Sequence, residues 1–182
     1  MSEFNLNIQT KRLLLRPFQY SDLDSIHLYA SNPEITKYML FGPNTHEETS
    51  NFVHLIIDTW YMEIPMRHYE MVVEKDGAIL GAVSIHLSED LEEGEMGWIS
   101  HQEYWGHGYI TEAAQALKEF AIIELKVKKI IAHCDSRNIG SIRVMEKLGL
   151  EKVSLTKNVR KDRKTLAYIY DELKYELNIN LK

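Results

Sequence analysis

The chain has 182 residues, a length typical of one domain, and its 45% hydrophobic and 26% charged content is ordinary for a globular protein. Its net charge of −6 argues against broad nucleic-acid binding and is compatible with a cationic amine substrate. It has no apolar run of the roughly 20 residues that span a bilayer, no signal-peptide pattern, and only one cysteine, which excludes an internal disulfide. We therefore expect a single cytoplasmic domain over residues 1–182 that binds neither nucleic acid nor membrane.

The first third of the chain predicts one strand followed by helices. Residues 8–18 alternate enough to indicate a strand. Ser21 is the expected N-cap of a helix that ends at Asn32-Pro33. Thr45 and Glu48 have the spacing of a capping box, which predicts a second helix after Thr45.

The pattern then changes to strands. Tyr69–Glu74 and Ala78–Leu87 flank an Asp-Gly pair, which is a strong hairpin signal. This order of elements favours an α+β or mixed α/β fold with helices on both faces of a sheet. The remaining predicted elements are a strand at Glu95–Ser100, a helix at about 109–126, a strand at Lys129–Asp135, a helix at about 139–148 that Gly149 ends, and a closing hairpin of Val153–Arg160 and Thr165–Tyr175.

A glycine turn joins the strand that ends near Ile99 to the longest predicted helix. Gly106 and Gly108 have no Cβ, so the backbone can bend sharply there and a ligand can lie against it. The first amides of the helix and its dipole would favour an anion, most often a phosphate. The spacing is neither that of a Rossmann fingerprint nor that of a Walker A loop. A simple tight turn is the alternative interpretation.

Three motifs in order carry a resemblance to a known family. They are Glu95-Met96-Gly97-Trp98-Ile99, the stretch Tyr104–Ala113, and the stretch Asn138–Gly149. Together they resemble the GNAT superfamily of N-acetyltransferases, and most of all the branch that contains the ribosomal-protein-alanine N-acetyltransferases. Thr10–Arg16 resembles that branch as well, so the similarity runs from about residue 8 to residue 175.

The resemblance implies a strongly twisted, mostly antiparallel sheet of six or seven strands flanked by helices. In that fold the strands at 95–100 and 129–135 run parallel and splay apart, and acetyl-CoA, the co-substrate, lies in the gap. The implied cofactor contacts are Trp98, Ile99 and Ser100 for the pantetheine amides, Trp105, Gly106, His107, Gly108, Tyr109, Ile110 and Thr111 for the pyrophosphate, and Asn138 with Ser141 for the pantetheine arm.

Each of these assignments has a simpler structural alternative. The side chains of Trp98 and Ile99 would also suit a strand core. Asn138 precedes a helix and would serve as its N-cap, and Ser141 would satisfy local backbone groups. Both the structural and the ligand-binding interpretations stay open at this point.

Two residues are candidates for proton transfer. Glu95 opens the strand beside the gap and would accept the amine proton, although it would also suit an exposed strand end. Many GNAT enzymes use a tyrosine as acid at the position of Met145, which has no proton to donate, so Ser141 or a water would have to serve. An acyl-enzyme at Cys134 is disfavoured because this cysteine lies mid-strand with no evident activating base, although His133 is adjacent in sequence.

The sequence thus predicts an acetyl-CoA-dependent N-acetyltransferase that works by direct transfer in a ternary complex. The acceptor would be a primary amine, either a protein or peptide N-terminal α-amine or a small molecule. A non-catalytic acyl-CoA-binding sensor or interaction module is the alternative. The eight histidines show no metal-ligand spacing, so no metal is expected, and a homodimer is the working hypothesis for assembly. The basic segment 157–164 is expected to be a solvated hairpin tip, with an acidic partner or the nucleotide end of the cofactor as alternatives.

Overall fold

The computed structural model describes residues 6–161 and 167–179, and within these ranges it contains eight strands and five α-helices. No helix in the described part of the chain is both long and apolar enough to cross a membrane. The strands are Ile8–Gln9 (β1), Leu14–Pro17 (β2), His68–Lys75 (β3), Ala78–Leu87 (β4), Glu93–Ser100 (β5), Lys129–Asp135 (β6), Glu151–Lys161 (β7) and Tyr168–Asn178 (β8). The helices are Leu23–Ala30 (α1), Pro33–Thr36 (α2), His46–Asp58 (α3), Tyr109–Ile123 (α4) and Ile139–Lys147 (α5).

All eight strands form one sheet in the order β1-β2-β3-β4-β5-β6-β8-β7. The β5–β6 pair is parallel and the six other neighbouring pairs are antiparallel. This confirms the expected mixed α/β fold with a mostly antiparallel sheet. The sheet has eight strands rather than six or seven because the predicted first strand is two strands. The Thr10 hydroxyl accepts a hydrogen bond from the Leu13 amide at 2.9 Å and closes a turn between β1 and β2.

Several local predictions are confirmed. Asp76 and Gly77 have φ of 51° and 81°, the left-handed pair that a two-residue hairpin turn requires. Thr45 and Glu48 exchange both bonds of a capping box at the start of α3, at 2.9 and 3.2 Å. Gly149 follows α5 with φ of 81°.

The predicted N-cap at Ser21 is wrong. Ser21 lies inside a 3₁₀ turn, Tyr20–Asp22, that precedes α1. The Asp22 carboxylate accepts hydrogen bonds from the Gln19 amide and from the Arg16 guanidinium, so the chain enters the helix through this buried ion pair. Ser21 lies at a suitable distance before the apolar residues of α1 to be an N-cap. The turn is instead fixed by the ion pair between Asp22 and Arg16 on β2.

The sheet separates two helical layers because neighbouring strand residues point to opposite faces. Met71 and Val83 face the layer formed by α4 and α5, whereas Val72 and Ala82 face the layer formed by α1, α2 and α3. On this second face the apolar pattern is interrupted by polar residues of β3, β4 and β5. These polar residues lie beside the place where β5 and β6 part.

The parallel pair is short, and this shortness opens the sheet. The register runs from Glu93 opposite Lys129 to Glu95 opposite Ile131. Both strands continue beyond these residues, β5 to Ser100 and β6 to Asp135, without parallel pairing. The predicted splay of the central strands is therefore present and begins directly after Glu95.

Candidate active site

A cavity of about 550 Å³ lies at this fork. It brings together five of the residues that the sequence predicted for the site: Glu95, Trp98, Ile99, Asn138 and Ser141. Its other walls come from the first 60 residues and from the sheet face beneath α1 to α3. Ser100 and the predicted loop residues 105–111 do not line this cavity and form a separate part of the candidate site.

Ser141 is held by two neighbours at the start of α5. The Trp98 indole Nε1–H donates to the Ser141 hydroxyl oxygen at 3.2 Å. The Ser141 amide donates to the Asn138 side-chain oxygen at 3.1 Å, so Asn138 is the N-cap of α5. Because the Ser141 oxygen accepts a hydrogen bond from the indole, the hydroxyl hydrogen of Ser141 can point toward another acceptor in the cavity.

Glu95 lies at the fork with a histidine partner that the sequence did not reveal. The His133 Nδ1–H donates to the Glu95 carboxylate at 2.9 Å, and the Glu95 side chain is 53% exposed. Both residues line the cavity. His133 was missed because the contact depends on the register of two parallel strands that are far apart in sequence.

A second carboxylate–imidazole pair lines the cavity and was also missed. The Glu70 carboxylate, in a side chain that is 9% exposed, accepts from His86 Nε2–H at 2.6 Å. His86 lies directly opposite Glu95 across the β4–β5 register. Burial acts to lower the pKa of His86, but the hydrogen bond with Glu70 and the charges of Glu70, Glu95 and Glu63 raise it above its usual value. Among the described residues, no group of three or more His, Cys, Asp or Glu side chains could hold a metal ion.

The raised pKa of His86 predicts a pH-dependent contribution to stability. Its protonated form is favoured in the folded state, so the contribution is complete below the unfolded pKa of about 6.5 and is lost as pH rises through the raised pKa. We expect the difference in unfolding free energy between the wild type and His86→Gln to be largest at acid pH and to shrink above it. Urea unfolding from pH 5 to pH 9 measures this difference. His46→Gln, at an exposed site on α3, is the control, and an equal pH dependence for both variants would contradict the assignment.

The loop before α4 has the backbone shape of a ligand cradle. Gly106 and Gly108 have φ of 80° and 75°. A Cβ on Gly106 would meet no heavy atom within 4 Å, and one on Gly108 would meet only Arg12 Nη2, at 3.8 Å. The first intrahelical bond runs from the Glu112 amide to the Gly108 carbonyl, so the preceding amides of α4 have no partner in the helix.

Arg12, from the β1–β2 turn, holds this loop and was not predicted as a site residue. Its guanidinium donates to the His107 carbonyl at 3.2 Å and to the Glu112 carboxylate at 2.6 Å. It also lies 4.6 Å from the centre of the Tyr109 ring. The Thr10 hydroxyl donates to the other oxygen of Glu112 at 2.7 Å. An ion pair therefore fixes the loop beside the amides that open α4.

Comparisons with known proteins agree on one family. An acetyltransferase (GNAT) domain model matches residues 12–151. An uncharacterized N-acetyltransferase of Bacillus subtilis, YnaD, is 31% identical over 147 residues, which are 81% of this chain and 84% of that protein. The crystal structure of a GNAT-family acetyltransferase from Bacillus anthracis has a TM-score of 0.83 at 29% identity and covers 95% of this chain and 98% of its own. A coenzyme A complex of RimL, a ribosomal L7/L12 α-N-protein acetyltransferase, has a TM-score of 0.81 at 16% identity over 96% of this chain and 98% of its own.

Proposed function

Because the chain belongs to the GNAT family of acetyltransferases, we propose that it transfers the acetyl group of acetyl-CoA directly to a primary amine bound in the cavity at the β5–β6 fork. The observation that carries this proposal is the short parallel pair. It leaves the edge of β5 open beside a cavity whose walls hold a carboxylate, a serine and apolar side chains. Acyl-CoA binding without turnover would give the carboxylate and the serine structural roles alone.

The loop at residues 105–111 fits the pyrophosphate of coenzyme A. Its two left-handed glycines leave open space where side chains would otherwise stand, and the first amides of α4 have no intrahelical partner. The helix dipole favours an anion at that end, and the Arg12–Glu112 ion pair holds the loop in shape without adding net charge. In this arrangement most of the contacts come from backbone groups, so Trp105 and His107 contribute chiefly through their backbone.

The open edge of β5 fits the pantetheine arm. Beyond Glu95, the backbone groups of β5 that face away from β4 have no strand partner on β6, and an extended ligand can pair with them as another strand would. Trp98 and Ile99 lie on this segment, and Asn138 and Ser141 face the same cavity from α5. A backbone amide near Ile99 would stabilise negative charge that develops on the thioester oxygen.

Two side chains are placed to handle protons. Glu95 would accept the proton of the attacking amine, with His133 holding its carboxylate in place. Ser141 would donate a hydrogen bond from its hydroxyl to the departing thiolate, since its oxygen already accepts one from the Trp98 indole, and the thiolate would take its proton from solvent. Acetyl-CoA supplies the acetyl group and leaves as coenzyme A. Met145, at the family's tyrosine position, is fully buried in the core and takes no part.

Thiol release from acetyl-CoA, measured against a panel of amines and a no-acceptor baseline, tests the proposal. A thermal shift by coenzyme A accompanies it, because a ligand at about 100 times its dissociation constant stabilises a fold by about 2.7 kcal/mol. A shift together with turnover supports the proposal. A shift without turnover of any amine would favour an acyl-CoA-binding module, and no shift at millimolar coenzyme A would contradict the cofactor site.

Gly108→Ala is expected to weaken the binding of coenzyme A about tenfold. An alanine at φ of 75° costs about 1–2 kcal/mol, and a loop that relaxes to avoid this strain would lose the shape of the cradle. Gly77→Ala is a matched control because Gly77 also has a left-handed φ, of 81°, but lies in the β3–β4 turn and not in the loop before α4. Both variants should lose stability, and only Gly108→Ala should lose affinity in a calorimetric titration. Equal affinities in the two variants would contradict the role of the loop.

Cys134→Ala is expected to leave turnover within about threefold of the wild type. Cys134 lines the cavity but is 4% exposed and packs in the core cluster of α4 and α5, and the neighbouring His133 ring bonds to Glu95. The expected cost is about 1 kcal/mol of stability from the lost sulfur. A loss of several hundredfold in kcat by a folded variant would contradict direct transfer and favour a covalent route.

A further inference from the structure

The charged residues that line the cavity are all acids. Three glutamates, Glu48, Glu70 and Glu95, line it, and no lysine or arginine does so in the part of the chain that the structure describes. His86 and His133 are the partners of Glu70 and Glu95. Even with both imidazoles protonated, these five groups carry one net negative charge, and with both neutral they carry three. The cavity therefore favours an amine and opposes a second carboxylate.

A neighbouring wall of the cavity is aromatic and apolar. Trp60 stacks on His68 with ring centres 4.4 Å apart and meets Phe52 edge to face at 6.1 Å. Phe52 in turn meets Phe18 at 6.4 Å. Phe52 is also 36% exposed, so the wall leaves apolar surface that a bound group would cover. An apolar substituent that covers this surface gains binding free energy, whereas a small polar acceptor leaves the surface exposed to water.

The two walls meet at His86. The Trp60 ring lies 5.3 Å from the His86 ring, His86 bonds to Glu70, and His86 faces Glu95 across the sheet. An amine directed at Glu95 therefore places its neighbouring substituent toward Trp60. A volume of about 550 Å³ leaves room for a substituent much larger than a methyl group.

We infer, on the basis of the proposed acetyl transfer, that the acceptor is a primary amine that carries a large apolar or aromatic group and no carboxylate beside the amine. Small arylalkylamines and peptides that begin with an aromatic residue both have this chemistry. A free amino acid would bind poorly because its carboxylate would lie among the three glutamates. A polyamine would match the negative charge of the cavity but would leave the aromatic wall uncovered.

The test is a comparison of kcat/KM for acetylation of matched acceptors. Phenethylamine and phenylalanine differ by one carboxylate, and phenethylamine has the more basic amine, so amine ionisation alone would favour phenylalanine. We expect phenethylamine to exceed phenylalanine, and phenylalaninamide to exceed alaninamide, by about tenfold or more in each case. Peptides that begin with phenylalanine or serine show whether the apolar group is recognised on a peptide, and spermidine tests the acidic wall alone.

Two variants locate the discrimination. Glu48→Gln should reduce the preference for phenethylamine over phenylalanine, because it removes one of the three carboxylates while glutamine keeps the capping-box bond from the Thr45 amide. Trp60→Ala should reduce the preference for phenylalaninamide over alaninamide. Each result is the ratio of kcat/KM for two acceptors measured on the same preparation. A smaller fraction of active protein lowers both values equally and leaves the ratio unchanged. If either variant fails to fold, the wild-type panel alone still decides the inference.

The outcomes separate this inference from the function on which it rests. Turnover with phenylalanine equal to phenethylamine, or with alaninamide, serine peptides or spermidine preferred, would overturn the inference and leave acetyl transfer intact. No turnover with any amine would overturn the proposed function, and the inference with it. Among supporting results, a better rate with the phenylalanine peptide than with phenethylamine indicates a polypeptide N-terminus, and the reverse indicates a small amine.

Discussion

Replacing Glu95 with glutamine is expected to lower kcat about 100-fold near pH 7 and to leave the affinity for coenzyme A unchanged. Glutamine has the size of glutamate and its oxygen can still accept the hydrogen bond from His133, but it takes up no proton at this pH. The loss should be smaller at higher pH, because a larger fraction of the amine is then already neutral. Thiol-release kinetics from pH 6 to pH 9 with an α-amino acceptor measure both effects.

Glu93→Gln is the matched control for this experiment. Glu93 lies two residues earlier on β5, points to the same face, and pairs with Lys129 at 2.9 Å without lining the cavity. We expect its kcat within about threefold of the wild type. If Glu95→Gln also stays within threefold while it binds coenzyme A normally, then Glu95 is not the base, and the neutral fraction of the amine suffices for the reaction.

The sequence predicted those elements that local chemistry determines. The capping box at Thr45 and Glu48, the Asp-Gly hairpin and the stop at Gly149 each depend on residues a few positions apart, and each is present. The strand at Lys129–Asp135 has the predicted bounds, whereas the helix predicted to reach residue 126 ends at Ile123. Residues 8–18 alternate as a strand does, but the hydroxyl of Thr10 turns the chain back inside that pattern.

The candidate site was predictable where one short motif carries it. The glycine loop and the Asn138–Ser141 pair come from continuous stretches, and the fork follows from the family resemblance. His133, His86 and Glu70 could not be found in this way, because each acquires its partner through strand register. Phe52 lines the cavity from α3 and Trp60 lines it from the 3₁₀ turn after α3, and apolar periodicity alone does not predict how these two elements pack on the sheet. The segment 162–166, which includes part of the predicted basic hairpin tip, lies outside the described residues.

Replacing Arg16 with methionine is expected to cost about 3–5 kcal/mol of unfolding free energy. The Arg16 guanidinium donates two bonds to Asp22, at 2.8 and 2.9 Å, and one to Glu74 at 2.7 Å. Asp22 is 4% exposed, so among the described residues the variant leaves this buried carboxylate with the Gln19 amide as its remaining partner. Urea unfolding measures the change, and Lys128→Met, which removes an exposed partner of Glu92, should cost less than about 1 kcal/mol.

A second substitution shows whether the loss of stability arises from the unpaired, buried carboxylate of Asp22. If Arg16→Met is destabilising because Asp22 keeps a buried charge, then Arg16→Met combined with Asp22→Leu should recover more than half of the loss, since apolar pairs often replace buried ion pairs without penalty. Glu74 is 23% exposed and can turn to solvent in both variants. No recovery in the double variant would mean that Arg16 acts by joining β2 to the turn before α1. In that case the walls that α1 gives the cavity, Ile26 and Tyr29, would shift with it, and the acceptor KM would rise along with the loss of stability.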